Sequence, residues 1–224
     1  MSVSPKAKSR SGSTEIMKSF SLTILLFLLL ALPGRANELD SLLERLRQAA
    51  AATQTLSSDF IQEKHLAIFS EKLLSEGRFA YRKPDQLRWE LLTPFKSGFV
   101  LRGDQGVRWN GLSRERGRFS VERDPVMGMI AKQLLAWARV DLEWLQQRYQ
   151  MELLQTQPPR LRLIPRDRGE AGFIRHLDIT FAEDLRHIAT VLLQETAGDQ
   201  TLLHFKKVEL NRALPDKVFE APEF

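Results

Sequence analysis

The chain of 224 residues contains no cysteine. Disulfide bonds, thiol nucleophiles and thiolate metal ligands are therefore excluded, as is a lipid attached to an N-terminal cysteine. Histidine is scarce, and the four histidines fall in separate segments without the spacing of a metal site. There is no Gly-x-Ser-x-Gly elbow and no glycine-rich phosphate loop. These absences favour a binding protein over an enzyme, and they predict no metal and no cofactor.

A membrane-spanning helix is not evident either, because the apolar run from Phe20 to Leu32 has only 13 residues, short of the roughly 20 that a span needs. The run follows a segment with several lysines and an arginine and precedes the small residues Gly34 and Ala36. This is the arrangement of a secretory signal peptide. We therefore predict a signal peptide over residues 1–36, cleaved after Ala36, and a single exported domain over residues 37–224.

The charge balance does not favour a nucleic-acid partner. The whole chain has 33 basic and 28 acidic residues, but residues 37–224 contain 28 basic and 27 acidic ones, which is close to neutral. The local basic run from Arg114 to Arg123 is interrupted by Glu115 and Glu122, as in a solvated hairpin. We therefore predict no binding to nucleic acid.

Three segments have the apolar spacing or the capping residues of helices. Apolar residues three and four apart predict an amphipathic helix over residues 38–54. Asp124 followed by Pro125 is a helix N-cap with proline at the first helical position, and it begins a second helix. A third, shorter helix is predicted from Asp141 to Arg148.

The rest of the chain alternates apolar and polar residues with a period of two, which is typical of strands with one buried face. The clearest case is Gly77 to Pro94, where two strands are joined by a turn at Lys83-Pro84-Asp85. Eleven strands are predicted: 56–66, 73–81, 87–92, 99–101, 107–109, 119–121, 149–154, 161–164, 173–181, 188–195 and 202–210. The predicted fold is mainly β with α (α+β), an incomplete antiparallel β-barrel covered by three helices.

Large apolar side chains recur on one face of the consecutive predicted strands and on the second helix. We predict that they line a cavity for a hydrophobic ligand between sheet and helices. The residues predicted to line it are Phe79, Leu87, Trp89, Leu91, Phe99, Leu101 and Trp109 from the sheet, and Met127, Ile130 and Leu134 from the helix. The same pattern is also expected of an ordinary solid core.

Several short motifs, in this order and spacing, resemble one known family. They are Leu46, Phe60-x-Gln62, Gly77-x-Phe79, Lys83-Pro84, Leu87-Arg88-Trp89, Pro94, the turn from Asp104 to Trp109, and the final Leu214-Pro215-Asp216-x-x-Phe219. Together they are similar to the outer-membrane lipoprotein carrier family, LolA, over nearly all of residues 37–224.

The resemblance implies a monomeric periplasmic chaperone that shields the acyl chains of lipoproteins or other lipidated cargo. It implies loading by an inner-membrane ABC transporter and delivery to an acceptor at the outer membrane, with no chemical step and no bound cofactor. It also implies a lid hinge at Lys83 and Pro84. The family has an arginine where this chain has Lys83, and alternation places the neighbouring Arg82 on the opposite strand face. The turn after Asp104 also departs from the family, because Gln105 precedes Gly106. We therefore expect a divergent member, whose cargo is a lipoprotein or another lipidated molecule.

A second hypothesis belongs to a different class of function. The chain is then a structural or interaction protein of the cell envelope that binds a partner polypeptide by pairing at a sheet edge, and its interior is solid. The volume of the ligand-free cavity distinguishes the two hypotheses.

Overall fold

The computed structural model describes Met1, residues 34–69 and residues 71–223, with side chains from Glu38 onward in the first helix. Except at its two ends, the predicted signal peptide lies outside these described residues. The chain divides into two compact units, Met1–Glu38 and Leu39–Phe224, and every strand belongs to the second. No helix within the described residues combines the length and apolarity that a bilayer crossing requires.

Eleven strands form one antiparallel sheet. They are β1 (Thr55–His65), β2 (Lys72–Arg82), β3 (Gln86–Thr93), β4 (Ser97–Arg102), β5 (Gln105–Asn110), β6 (Glu115–Ser120), β7 (Tyr149–Thr156), β8 (Pro159–Pro165), β9 (Ile174–Phe181), β10 (Ile188–Glu195) and β11 (Gln200–Leu210). Their order in the sheet is β6-β5-β4-β3-β2-β1-β11-β10-β9-β8-β7. Pairing of β1 with β11 joins the two halves of the chain, and the end strands β6 and β7 each have one strand neighbour. The sheet is therefore an open, incomplete barrel, as the sequence predicts.

Four helices accompany the sheet in the described part of the chain: α1 (Gly34–Ala50), α2 (Pro125–Arg139), α3 (Leu142–Arg148) and α4 (Arg168–Ala171). A 3₁₀ turn, Asp216–Phe219, follows β11. Helix α2 begins as predicted, because the Asp124 side chain accepts a hydrogen bond from the Met127 amide at 3.0 Å. It ends at Val140, whose left-handed backbone (φ 52°) reverses the chain direction.

The core lies between one face of the sheet, the inner face, and helices α1 and α2. Buried side chains of α1, including Leu46, and of α2, including Ala131 and Leu134, belong to the same apolar cluster as Phe60 and Leu87 of the sheet. The opposite, outer face has arginines along β2, β3 and β4 and is partly covered by the C-terminal segment. The inner face of the sheet is thus covered by the apolar sides of two helices, and the outer face is partly covered by a segment that is held by polar contacts.

The predicted fold class is confirmed, although several boundaries differ. Helix α1 ends at Ala50, because Thr53 and the residues after it turn into β1. The predicted strand at 119–121 lies at Glu115–Ser120, since its charged and glycine residues pair with β5 at the sheet edge. The segment after Asp167, predicted as a turn, forms the one-turn helix α4, with the Asp167 carboxylate as its N-cap.

Candidate lipid-binding cleft

The centre of the inner face is an aromatic cluster built from four adjacent strands. Phe60 of β1 stacks on Trp89 of β3, with ring centroids 4.1 Å apart and planes inclined by 22°. Phe79 of β2 lies 6.0 Å from Trp89, and Phe205 of β11 lies 6.2 Å from Phe60 and 6.1 Å from Phe79. Offset and edge-on contacts at these separations are the favourable geometries for aromatic pairs. The cluster gives the sheet a broad apolar floor.

Two glycines on this face make room for aromatic rings from neighbouring strands. Gly77 is paired with Phe60, and a Cβ at Gly77 would lie 2.1 Å from the Phe60 ring. Gly106 is paired with Phe119, and a Cβ there would also lie 2.1 Å from the ring. Each ring therefore covers the backbone of the opposite glycine, which brings bulky apolar surface close to the sheet.

Helix α2 covers this floor. Its buried residues include Met127, Ala131, Leu134 and Ala138, which repeat at the spacing of a helix stripe. The cavity left beneath it is about 20 Å³ and is bordered by Leu56, Ser58, Phe79, Leu134, Trp137, Ala138, Ile188, Phe205 and Val208. Pockets for small ligands are roughly 300–1,000 Å³. The cleft is therefore closed by side chains in this structure.

Two polar groups at this cavity have no hydrogen-bond partner among the described residues: the Ser58 hydroxyl and the Trp137 indole Nε1. Buried donors are usually paired, because an unmade hydrogen bond costs about 1–3 kcal/mol. Ser58 pairs with Phe79 in the sheet and therefore shares its face. An otherwise apolar cavity thus contains two potential hydrogen-bond donors.

The structure brings together eight of the ten predicted lining residues. Six strand residues share the inner face, namely Phe79, Leu87, Trp89, Leu91, Phe99 and Leu101, and Met127 and Leu134 cover them from α2. Ile130 is different, because it is 38% exposed and lies beside the exposed Val126 and Met129 on the outer side of the helix. The predicted position of Ile130 in the lining is therefore wrong.

Trp109 is the second correction, because it lies on the outer face. Strand β5 is joined to β4 by a two-residue turn, so that Leu101 pairs with Gly106 and Gly98 pairs with Trp109. In the β2–β3 and β3–β4 hairpins, odd-numbered residues such as Trp89 pair with odd-numbered residues. In the β4–β5 hairpin, odd-numbered residues pair with even-numbered ones. Every side chain of β5 is therefore on the opposite face from the one that simple alternation predicts.

The prediction of the lining residues missed Phe119 and Phe205. Phe119 is buried and meets Phe99 edge-on at 5.8 Å, with planes inclined by 79°. Phe205 reaches the cluster because β11 pairs with β1, more than 130 residues earlier in the chain. The glycine at position 106 was the available signal for Phe119, but the β1–β11 pairing has no local sequence signal.

The predicted hinge turn contacts two other elements. The Lys83 amide donates to the Gln54 carbonyl at 2.8 Å, and the exposed Lys83 side chain forms no hydrogen bond or ion pair within the described chain. The turn is instead joined to α2 by a residue of the helix, because the Arg139 guanidinium at the end of α2 donates to the Pro84 carbonyl. Arg82 points to the outer face, as the alternation predicts. That Lys83 and Pro84 act as a hinge stays a prediction.

Three arginines on the outer face bind the C-terminal segment. Arg82 donates to the Leu214 carbonyl at 2.9 Å and lowers the pKa of Asp216 through a hydrogen bond and its charge. Arg88 donates to the carbonyls of Val218 and Glu220 at 3.0 and 2.8 Å, and Arg102 to those of Asp216 and Phe219 at 2.9 and 3.2 Å. The final motif of the sequence therefore forms a strap across the outer face, and Phe219 is its buried anchor.

The outer face also has a larger cavity, of about 580 Å³, beside this strap. Charged side chains of both signs border it, including Asp59, Arg78, Lys207 and Glu209, and Asp59 already pairs with both Arg78 and Lys207. Such a surface does not favour an acyl chain. Among the described residues there is no cluster of three or more His, Asp or Glu side chains that could hold a metal ion.

Comparison with known families gives a match to the family described as "Outer membrane lipoprotein carrier protein LolA" over residues 51–222. This chain belongs to the LolA family. The family is described as one of carriers, and nothing in the geometry above is positive evidence of catalysis. No curated protein matches the chain.

Two solved structures have a similar fold at low sequence identity, and a third match has a lower TM-score. An uncharacterised conserved protein from Thermus thermophilus has a TM-score of 0.52 at 8% identity, over 83% of this chain and 95% of its own. MucB has a TM-score of 0.51 at 17% identity, over 84% of this chain and 64% of its own, so the chain spans less than two thirds of MucB. A LolA superfamily protein from Nitrosomonas europaea has a TM-score of 0.43 at 12% identity, over 81% and 97% of the two chains.

Proposed function

We propose that this LolA family member is a periplasmic carrier. It binds the acyl chains of lipoproteins, or of a related lipidated cargo, between the inner face of the sheet and helix α2. It receives the cargo from an inner-membrane ABC transporter and delivers it to an outer-membrane acceptor. Acyl chains move without a chemical step, because each methylene exposed to water costs about 0.8 kcal/mol and a more apolar acceptor draws the cargo onward.

The observation that carries the proposal is the aromatic floor under a separable helix. The floor is continuous over β1, β2, β3 and β11, while the cavity above it is only about 20 Å³. An acyl chain needs far more room, since ligand pockets are typically at least about 300 Å³. In the proposed carrier the cleft is therefore closed as it stands, and loading requires α2 to move away from the sheet.

Few directional contacts oppose that movement. Among the described residues, two side-chain hydrogen bonds join α2 to other elements: Arg139 to the Pro84 carbonyl, and the Tyr149 hydroxyl to Gln133 at 2.8 Å. The Arg139 guanidinium also lies over the Tyr81 ring, 6.0 Å from its centroid. The contacts of the buried side of α2 are apolar, and an acyl chain can replace them without leaving a polar group unpaired. Ser58 and Trp137 provide donors for a carbonyl oxygen of the cargo, which only an opened cleft can admit.

Native mass spectrometry with lipid extraction tests the proposal on protein purified without detergent from the periplasm of an expressing bacterium. We expect acylated species bound at near one-to-one, or uptake of an added triacylated lipopeptide by the unloaded protein. A mass without ligand, together with no uptake of lipopeptide or fatty acid, would contradict the carrier role.

Two methionines on α2 provide a matched pair of variants. Met127 is buried against the floor and Met129 is 44% exposed, so Met127→Glu places a charge in the cleft and Met129→Glu places it in water. We expect Met127→Glu to reduce lipopeptide uptake at least about tenfold, equivalent to about 1.4 kcal/mol, with Met129→Glu close to wild type. Thermal unfolding of both variants shows whether the loss is specific: if uptake and stability of Met127→Glu fall together, Met127 is plain core.

The alternative function, pairing with a partner polypeptide, is favoured by the two sheet edges. Strands β6 and β7 each have one strand neighbour among the described residues, which leaves backbone groups free on their other sides. The mass spectrum separates the two functions, because an edge-pairing protein retains a peptide or protein and no acyl chain.

A further inference from the structure

Seven large apolar side chains at one end of the sheet are exposed to solvent, with exposed fractions between 54% and 84%. They are Ile68, Phe69, Leu73, Leu74, Phe95, Leu112 and Phe173. Single exposed apolar residues are ordinary on protein surfaces, whereas seven of them at one end of the sheet favour an interaction site.

Topology places these residues at one end. In the antiparallel sheet, the connections β1–β2, β3–β4, β5–β6, β8–β9 and β10–β11 all lie at the same end. We call this end the apolar rim, meaning residues 66–69, 71–74, 94–96, 111–114, 166–173 and 196–199. The connections at the opposite end, residues 83–85, 103–104, 121–124, 157–158 and 182–187, contain no exposed large apolar side chain.

Hydrogen bonds join the connections of the rim to one another. The links are Ala67 amide to Asp199 carboxylate at 2.9 Å, Thr196 amide to Phe173 carbonyl at 2.9 Å, and Gly111 amide to Lys96 carbonyl at 2.6 Å. Next to the rim, the Glu76 amide of β2 donates to the Thr93 hydroxyl of β3 at 3.0 Å. The exposed apolar side chains therefore stand on a connected scaffold rather than on five independent loops.

The β1–β2 hairpin extends beyond the end of the neighbouring strand β3. Glu76 is the first residue of β2 to pair with β3, so the strand from Lys72 to Ser75 extends beyond its neighbour. This extension contains Leu73 and Leu74, and its tip contains Ile68 and Phe69. Four large apolar side chains are thus concentrated on one projecting hairpin.

The rim has a small excess of positive charge and several exposed cations without an acidic partner in the described part of the chain. Lys96, Arg114 and Arg168 form no ion pair among the described residues. Of the rim's carboxylates, Glu170 pairs with Arg148, whereas Asp167 and Asp199 accept backbone amides and keep their charge. The rim has five basic residues (Lys72, Lys96, Arg114, Arg166 and Arg168) and four acidic ones (Glu71, Asp167, Glu170 and Asp199), a net charge of +1. Its unpaired cations Lys96, Arg114 and Arg168 are exposed, where they can meet anionic headgroups.

We propose that the apolar rim is a docking surface for a lipid bilayer that contains anionic phospholipids. Its apolar side chains lie at the tips of separate connections and do not enclose a groove, which suits insertion into a fluid interface better than a polypeptide ligand. Binding of this kind combines buried apolar area with attraction between basic side chains and anionic headgroups. The proposal does not depend on the acyl-chain cleft, which lies between the inner face and α2.

Vesicle flotation tests the proposal with protein purified from the periplasm. Vesicles of phosphatidylethanolamine and phosphatidylglycerol are compared with vesicles of phosphatidylcholine alone. We expect wild type to float with the anionic vesicles, and the double variant Ile68→Ser, Phe69→Ser to lose binding at least about tenfold. The matched control is Val126→Ser, Met129→Ser, which removes two exposed apolar side chains from α2, away from the rim.

A second variant, Lys96→Gln with Arg114→Gln, examines the charge. We expect it to weaken binding to the anionic vesicles only, as added salt also does. The lack of wild-type binding to anionic vesicles, full binding by the Ile68 and Phe69 variant, or an equal loss in the α2 control would each overturn the proposal. Binding to a protein without binding to vesicles would also overturn it, in favour of a protein-docking surface.

Lipopeptide uptake by the same variants keeps this proposal separate from the carrier function. We expect the rim variants to take up lipopeptide as wild type does, and Met127→Glu to float with vesicles as wild type does. Failure of flotation with intact uptake therefore removes only the docking surface, and failure of uptake with intact flotation removes only the carrier.

Discussion

The two faces of the sheet are both covered, but by contacts of opposite kinds. On the inner face, Phe60, Phe79 and Trp89 contact apolar side chains of the helices, and few hydrogen bonds join α2 to the sheet. On the outer face, Arg88 and Arg102 donate to carbonyls of the C-terminal strap in fixed geometry. Apolar contacts are non-directional and can be exchanged for a ligand, whereas these hydrogen bonds cannot. The comparison favours the inner face as the one that opens in the proposed carrier.

The largest expected effect is on the inner face. Phe60 is 1% exposed and stacks on Trp89, so Phe60→Ala removes a buried ring and leaves a cavity at the centre of the floor. We expect the free energy of unfolding to fall by about 3–5 kcal/mol, measured by urea denaturation. The control is Phe95→Ala on the exposed rim, for which we expect a change within about 0.5 kcal/mol. Similar losses for both would mean that the floor is not part of a cooperative core.

The next effect is on the outer face. Arg88→Ala removes the donor to two strap carbonyls and the cation beside Glu90, whose side chain is 11% exposed. We expect a loss of about 1.5–3 kcal/mol, the usual contribution of hydrogen bonds to a charged group, together with faster amide hydrogen exchange at residues 214–220. Lipopeptide uptake should be unaffected, because the strap lies on the outer face and the cleft on the inner face.

Arg88→Lys is the matched control for this position. Lysine retains the charge near Glu90 but lacks the planar fork that reaches two carbonyls, so we expect an intermediate loss of stability. If Arg88→Ala leaves hydrogen exchange at residues 214–220 unchanged, the strap is held by Phe219 alone, and the contrast between the faces is weaker than proposed.

The fold could be predicted from the sequence because its signals are local. Period-two alternation from Gly77 to Pro94 predicted a hairpin that the structure contains, and Asp124 with Pro125 marked the start of α2. The order of strands required more than local pattern. The pairing of β1 with β11 joins segments that are far apart in the chain, and it was not predicted.

The cleft was predicted less well, for two physical reasons. The face on which a strand residue lies depends on the length of the preceding turn, and the two-residue turn at Gly103-Asp104 placed Trp109 on the outer face. The apolar residues of a helix also do not show where its buried face ends. Ile130 was therefore assigned to the buried face, which is formed by Ala131 and its neighbours. The exposed rim was not predicted, since apolar loop residues read as core in a sequence.

The smallest effect is a pH dependence that originates outside the inner face. Burial lowers the pKa of His176 on the outer face, with Arg162 as a second cause, and burial lowers the pKa of His187 in the β9–β10 connection. The folded state therefore binds fewer protons than the unfolded chain, whose histidines titrate near pH 6.5. This contribution to stability is present above about pH 6.5 and is lost as the pH falls through the lowered values. We expect the free energy of unfolding to decrease between pH 7 and roughly pH 5, above the range in which carboxylates titrate.

The double variant His176→Gln, His187→Gln should flatten this slope in urea denaturation at a series of pH values. An unchanged slope would place the titrating groups elsewhere, whereas a flattened slope with unaltered lipopeptide uptake would separate the pH response from the cleft.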